Sequence, residues 1–151
     1  ISADGSDKQE DSYMRVRRTF YDRSGNEING ATFHQNDLVV VKISLTGEYN
    51  SQIDNVVITD MLPAGLEIEN PRISSLPQLK WIKDDTEPDY IDYRDDRINL
   101  FTSANGHIKN FYYVLRAVSP GAYQLGPIQA DAMYNGEYHS YNGAGVVKVV
   151  E

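Results

Sequence analysis

"LVVVKISLT", residues 38–46, places apolar side chains at Val39, Val41, Ile43 and Leu45 and alternates them with Leu38, Val40, Lys42, Ser44 and Thr46. A period of two with one unbroken apolar phase is the signature of a strand with a buried face. Outward from it the same period recurs at Met14, Val16 and Phe20, at Phe111, Tyr113, Leu115 and Ala117, at Ile128, Ala130 and Ala132, and at Val147 and Val149. β-branched and aromatic residues fill these runs and no long segment repeats at 3.6, so a helical fold is disfavoured. Turn chemistry separates the runs: Ser24-Gly25-Asn26, Pro63-Ala64-Gly65, Pro120-Gly121 and Asn142-Gly143 supply the fixed φ of proline and the positive φ that glycine or asparagine tolerates. Short strands with frequent turns predict an all-β antiparallel sandwich of immunoglobulin-like type, with seven or more strands and at most one helical turn, near Ser75–Trp81.

The chain of 151 residues suits one domain. Residues 1–11 are polar, acidic and without period, and read as a linker or a trimmed edge; the domain is expected over 12–151. No run approaches the roughly 20 apolar residues of a membrane span, and "ISADGSDKQE" lacks the shape of a signal peptide. A net charge of −8 argues against nucleic acid and anionic membranes as partners, because both need a basic stripe. The absence of cysteine removes disulfides, thiolate zinc sites and any thiol nucleophile, and leaves the redox compartment open.

Seven acids, Asp84, Asp85, Glu87, Asp89, Asp92, Asp95 and Asp96, break the strand rhythm and predict a surface loop. Calcium could use such carboxylates, but the spacing departs from Asp-x-Asp-x-Asp-Gly, and a solvated charge run is the better reading. Adjacent acids in one loop cannot flank a glycoside from two sides. His34, His107 and His139 are scattered, with no His-x-x-x-His spacing and no nucleophile elbow; "NGAG" near residue 142 lacks the Lys-Ser/Thr of a phosphate loop. The residues therefore predict a non-enzyme with no cofactor and no metal.

Tyrosine is abundant, 11 of 151, and most of it is expected in the core or in cross-strand pairs. The stretch 128–134 differs. Ile128, Ala130, Ala132 and Tyr134 share the inward phase, whereas Gln129, Asp131 and Met133 share the outward one, so Met133 is an apolar residue on a polar face. At a strand end beside Asn135-Gly136, methionine that adapts to irregular surfaces and tyrosine with a polar tip form either an interaction knob or plain rim packing.

"NVVITDMLPAGLEIENPRI" (55–73), "YRDDRINLF" (93–101), "FYYVLRAVSPGAYQLGPIQADAMYNGEY" (111–138) and the closing "GAGVVKVVE" together resemble, in order and spacing, the last macroglobulin-like domain of bacterial α2-macroglobulins. The Asp60–Gly65 turn is shared with immunoglobulin-like stalk repeats, whereas Arg116–Gly121 followed by Ala132-Met133-Tyr134 is more specific. Asn135-Gly136 departs from the Asp-Pro associated with that spot.

The resemblance implies a domain of a protease trap in the periplasm or cell envelope, the parent anchored by lipid or not. In such a trap an attacking protease cuts a bait region, and the cut releases a rearrangement that captures it. The implied partners are a thioester domain and other macroglobulin domains of the same parent, with target proteases reached through the parent. No nucleic acid is implied, and no membrane insertion by this domain. Where a parent carries a Cys-x-Glu-Gln thioester, the terminal domain helps to cover it, and the residues at the matching positions are Met133 and Tyr134. A cell-surface immunoglobulin-like stalk or adhesion module is the alternative.

Overall fold

Leu38–Gly47 is a ten-residue strand whose inward phase, Val39, Val41, Ile43 and Leu45, is fully buried. The computed structural model describes residues 10–12, 14–22, 24–28, 32–47, 52–69, 86, 88–94, 96–133, 139–142 and 145–151. Numbered in chain order, the strands are β1 (Glu10–Ser12), β2 (Met14–Tyr21), β3 (Thr32–His34), β4 (Leu38–Gly47), β5 (Gln52–Met61), β6 (Leu66–Ile68) and β7 (Tyr90–Tyr93). They continue with β8 (Arg97–Asn105), β9 (Lys109–Ala117), β10 (Gly121–Leu125), β11 (Ile128–Ala132), β12 (His139–Asn142) and β13 (Gly145–Val150). The fold is all-β, as the periodicity predicts. The helical turn expected near 75–81 lies outside the described residues.

One layer is a six-stranded sheet in the order β1-β12-β11-β5-β8-β7, and the facing layer is β2-β4-β9-β6. A third sheet, β10-β13-β3, contributes Val147, Val149 and Phe33 to the same core. All pairings are antiparallel except β3 with β13, which run parallel. Between the two main layers Val39, Val41 and Ile43 share one hydrophobic core with Val56, Ile58, Leu100, Ile128 and Ala130. Each of these valine, isoleucine and leucine side chains stabilises the sandwich by about 1.5–3 kcal/mol through area removed from water.

Two outcomes differ from the period of two. Leu38 and Val40 fall in the phase read as outward, yet both are buried, in a second small cluster with Val114 against Tyr21 and Tyr112. Their cross-strand neighbours supply the cover: Val40 lies opposite Tyr21 on one side and Val114 on the other. The acidic run expected as a surface loop contains an edge strand, β7, hydrogen-bonded to β8 from Tyr90 to Tyr93, while Asp84, Asp85, Glu87 and Asp95 lie outside the described residues. Edge strands tolerate charge on their open side, which is why a dense acidic run did not exclude one. β1 straddles the expected boundary between residues 11 and 12, paired with β12 from Glu10 to Ser12.

Of the predicted turns, that at Asn142-Gly143 reaches outside the described residues, and those at 24–26 and 63–65 form. Asp22 caps the Ser24-Gly25-Asn26 turn, its carboxylate accepting the amides of Ser24 (2.8 Å) and Asn26 (3.0 Å), and Gly25 takes φ 92°. At the Pro63-Ala64-Gly65 turn the reason for glycine is space. A β-carbon on Gly65 would overlap the Tyr123 ring at Cε2. The Tyr123 hydroxyl donates to the carbonyl oxygens of Ser119 (2.8 Å) and Pro120 (3.1 Å), and the Val118 amide donates to Gly65 O (2.9 Å). The Asp60–Gly65 and Arg116–Gly121 stretches, far apart in sequence, therefore pack on each other. Arg116 adds an ion pair to Glu69 at 2.9 Å.

Candidate functional site

Met133 ends the inward-outward alternation of β11. Ile128, Ala130 and Ala132 are buried, Gln129 and Asp131 are half-buried, and Met133 is 48% exposed. The strand thus presents a large apolar side chain to solvent at its last step, as its phase predicts. Tyr134 and the Asn135-Gly136 turn lie outside the described residues.

What sets the end of β11 is its neighbour β5. The two pair antiparallel from Ile128 opposite Asp60 to Ala132 opposite Val56, and the next amide, that of Met133, donates to the carbonyl of Asn55 at 2.9 Å. Asn55 has φ 57°, in the left-handed region, and lies in a β-bulge between Ile53 and Val56 in the pairing of β5 with β8. The extra residue reconciles two buried side chains at an odd spacing. Without it a period of two would turn either Ile53 or Val56 outward, whereas both are buried here.

One step from Met133 the outward face carries a cross-strand row. His139 lies opposite Asp131, Asp131 opposite Val57, Val57 opposite Phe101 and Phe101 opposite Tyr90. Tyr90 is 63% exposed, with its ring 5.7 Å from that of Phe101. Partial burial pushes the Asp131 carboxyl above its ordinary pKa, with the nearby His139 pulling the other way. The His139 and Tyr141 rings stack on the same face at 5.2 Å.

A polar cluster that the sequence reading missed joins the two layers inside the core. Asp60 of β5 accepts from Arg18 of β2 through one carboxylate oxygen and from the Tyr113 hydroxyl of β9 through the other. The second guanidinium nitrogen of Arg18 donates to Gly126 O at 2.9 Å, and the guanidinium lies 5.8 Å from the centre of the Phe20 ring. The side chains of Arg18 and Asp60 are 3% and 1% exposed. Burial, and after it the Asp60 charge, holds the Tyr113 hydroxyl protonated well above the usual tyrosine range. A signal for this cluster was present: Arg18 occupies the inward phase between Val16 and Phe20, and a charge on an apolar phase demands a buried partner. Among the described residues no buried side-chain nitrogen or oxygen lacks a hydrogen-bond partner.

The other candidates do not assemble. Asp92 is engaged by Arg94 at 2.8 Å, and among the described residues no group of three or more His, Asp or Glu could hold a metal ion. A surface hollow of about 360 Å³ is lined by Asp22, Ser24, Thr32, His34 and Asp37 with Ile28 and Phe33. Its Asp22 carboxylate is already occupied by the amides of the turn, which hold its pKa below the ordinary value.

The family model described as "Bacterial Alpha-2-macroglobulin MG10 domain" matches residues 14–137. An alpha-2-macroglobulin of Pasteurella multocida is 30% identical over 141 residues, covering 90% of this chain and 7% of that protein. One of Xylella fastidiosa is 29% identical over 136 residues, covering 83% of this chain and 8% of its own length. The chain thus spans less than a tenth of these relatives. The crystal structure of Salmonella alpha-2-macroglobulin reacted with methylamine superposes with a TM-score of 0.85 at 23% identity, over 97% of this chain and 10% of that one.

Proposed function

The chain belongs to the bacterial alpha-2-macroglobulin MG10 domain family, and from that premise we propose that it is a non-catalytic domain of a protease-trapping inhibitor outside the cytoplasm. In its parent it is the last macroglobulin-like domain, the unit expected over 12–151 together with β1, which pairs with β12 at its edge. It rests on the thioester domain, and Met133 and Tyr134 shield the thioester until the bait region is cut. Periplasm or cell envelope is the place where such a trap meets foreign proteases.

The observation that carries this reading is Met133, a large apolar side chain half exposed at the end of an otherwise alternating strand. A thioester is an acyl donor that water or a small amine destroys unless a dry pocket excludes both. Methionine fills irregular gaps, and tyrosine adds a ring with a hydroxyl that can bond nearby polar groups. A few side chains suit a lock that must open, since a switch is biased by only a few kcal/mol. The Salmonella relative was crystallised after reaction with methylamine, a small amine of the kind that such a lock would exclude. With no cysteine, this chain cannot itself carry the thioester.

The test is methylamine uptake by the full-length protein that carries this chain, followed by intact mass. Met133→Ala and Tyr134→Ala are each expected to gain the adduct faster than wild type. If wild type and both variants gain none, even after cleavage by a protease, the lock reading fails and the domain is an interdomain packing module. A stalk or adhesion role would require tandem copies of the domain in one chain with neither thioester nor bait domain.

A further inference from the structure

We infer that Asn55 is the positioning residue of the lock: its left-handed backbone forms the bulge in β5 at the level where β11 ends, and its carbonyl fixes the backbone from which Met133 projects. The inference rests on the lock assigned to Met133 above and names the residue that sets its geometry. Three observations meet at one point. Asn55 takes φ 57° within a strand, a conformation that asparagine tolerates and β-branched residues do not. Its carbonyl accepts the Met133 amide at 2.9 Å, one step beyond the last paired residues, Ala132 and Val56. The bulge between Ile53 and Val56 bends β5 at that level, and bulges re-aim side chains where a strand leaves its sheet.

The consequence is mechanical. An ordinary strand residue at 55 would remove the extra step, and the register would have to turn Ile53 or Val56 out of the core or shift the carbonyl that holds Met133. Either change frees the Met133 backbone. The exposed side chain of Asn55 contributes nothing to the core, so its backbone conformation is what matters.

The experiment compares Asn55→Gly, Asn55→Ala, Asn55→Val and Met133→Ala in the full-length protein. One readout is deuterium exchange of the peptide containing the Met133 amide, and the other is the rate of the methylamine adduct. Glycine keeps the left-handed conformation and is expected to match wild type in both. Alanine and valine should raise exchange at Met133 and speed adduct formation, by up to about 5-fold for alanine, which keeps the β-carbon but loses the short polar side chain that eases asparagine into the left-handed region. Alanine keeps the test open if valine fails to fold.

The arms separate the two ideas. If Met133→Ala does not speed the adduct, the lock itself fails and this inference with it. If Met133→Ala speeds it but Asn55→Ala leaves exchange and adduct rate at wild-type values, only the role of Asn55 is overturned. The same holds if glycine disturbs both readouts as much as alanine.

Discussion

Asp60 sits among fully buried apolar neighbours, and its charge is held there by Arg18 and the Tyr113 hydroxyl. Removing one partner of a buried pair strands the other, which costs more than the pair itself contributes. Asp60→Asn keeps the shape of the side chain but leaves Arg18 uncompensated, so it is expected to lose about 3–5 kcal/mol. For a chain of this size that is roughly 6–20 °C in Tm. Replacing all three partners, as Arg18→Met, Asp60→Leu and Tyr113→Phe, should recover most of the loss, because it removes the desolvation of two charges and leaves no buried hydroxyl without a partner. Thermal melts of wild type, the single variant and the triple variant decide it: a triple variant as unstable as the single one would show that the cluster's hydrogen bonds, and not a stranded charge, hold the layers together. Tyr113 was legible only as a core aromatic, since its phase showed burial and nothing in the sequence showed what its hydroxyl would meet.

The elements whose phases were unbroken in the sequence, β4, β9, β11 and β13, formed with the predicted faces inward. β5 was not legible in that way. Ile53 and Val56 stand three apart, a spacing that belongs to neither face of a regular strand until a bulge is inserted. β7 was hidden by its acids, and the second apolar face of β4 by the habit of assigning one face to water. The Asp60–Gly65 and Arg116–Gly121 stretches were visible as separate motifs, but their contact through Tyr123 was not, because sequence carries no sign of which turns meet. That contact predicts an outcome for Gly65→Ala. The new methyl would overlap the Tyr123 ring and force it off the Ser119 and Pro120 carbonyls. Overpacking of this kind costs about 1–3 kcal/mol. Gly65→Ala combined with Tyr123→Leu should be no less stable than Tyr123→Leu alone, since the clash partner is gone. A full additional loss in the double variant, measured by urea denaturation, would refute the steric account.

At the scale of the whole molecule the sandwich is tied across its layers by polar contacts at the Asp60 cluster inside and at the edge. At that edge Ser140 of β12 accepts the Val16 amide of β2 at 3.0 Å and donates to Asp11 of β1 at 2.5 Å. Arg17 grips the same carboxylate through two nitrogens, at 2.7 and 3.0 Å. β1 is therefore part of the folded unit in energy as well as in pairing. A chain beginning at residue 10 is expected to be more stable than one beginning at residue 13. The difference is about 1–3 kcal/mol at neutral pH, with the half-exposed ion pair the smaller part and the Ser140 hydrogen bond the larger. Its pH dependence has a definite sign. The hydrogen bond from Arg17, then that from Ser140, holds the Asp11 carboxyl below its ordinary value in the fold. The carboxylate's share of the stability is present above the unfolded pKa and is lost as pH falls through the folded one. The gap between the two chains should therefore stay constant from pH 7 to about 5 and narrow below about pH 4. Urea midpoints at pH 7 and pH 3 would measure it. A gap of equal size at both would mean that backbone pairing of β1 with β12 stabilises the edge and that the Asp11 charge does not contribute.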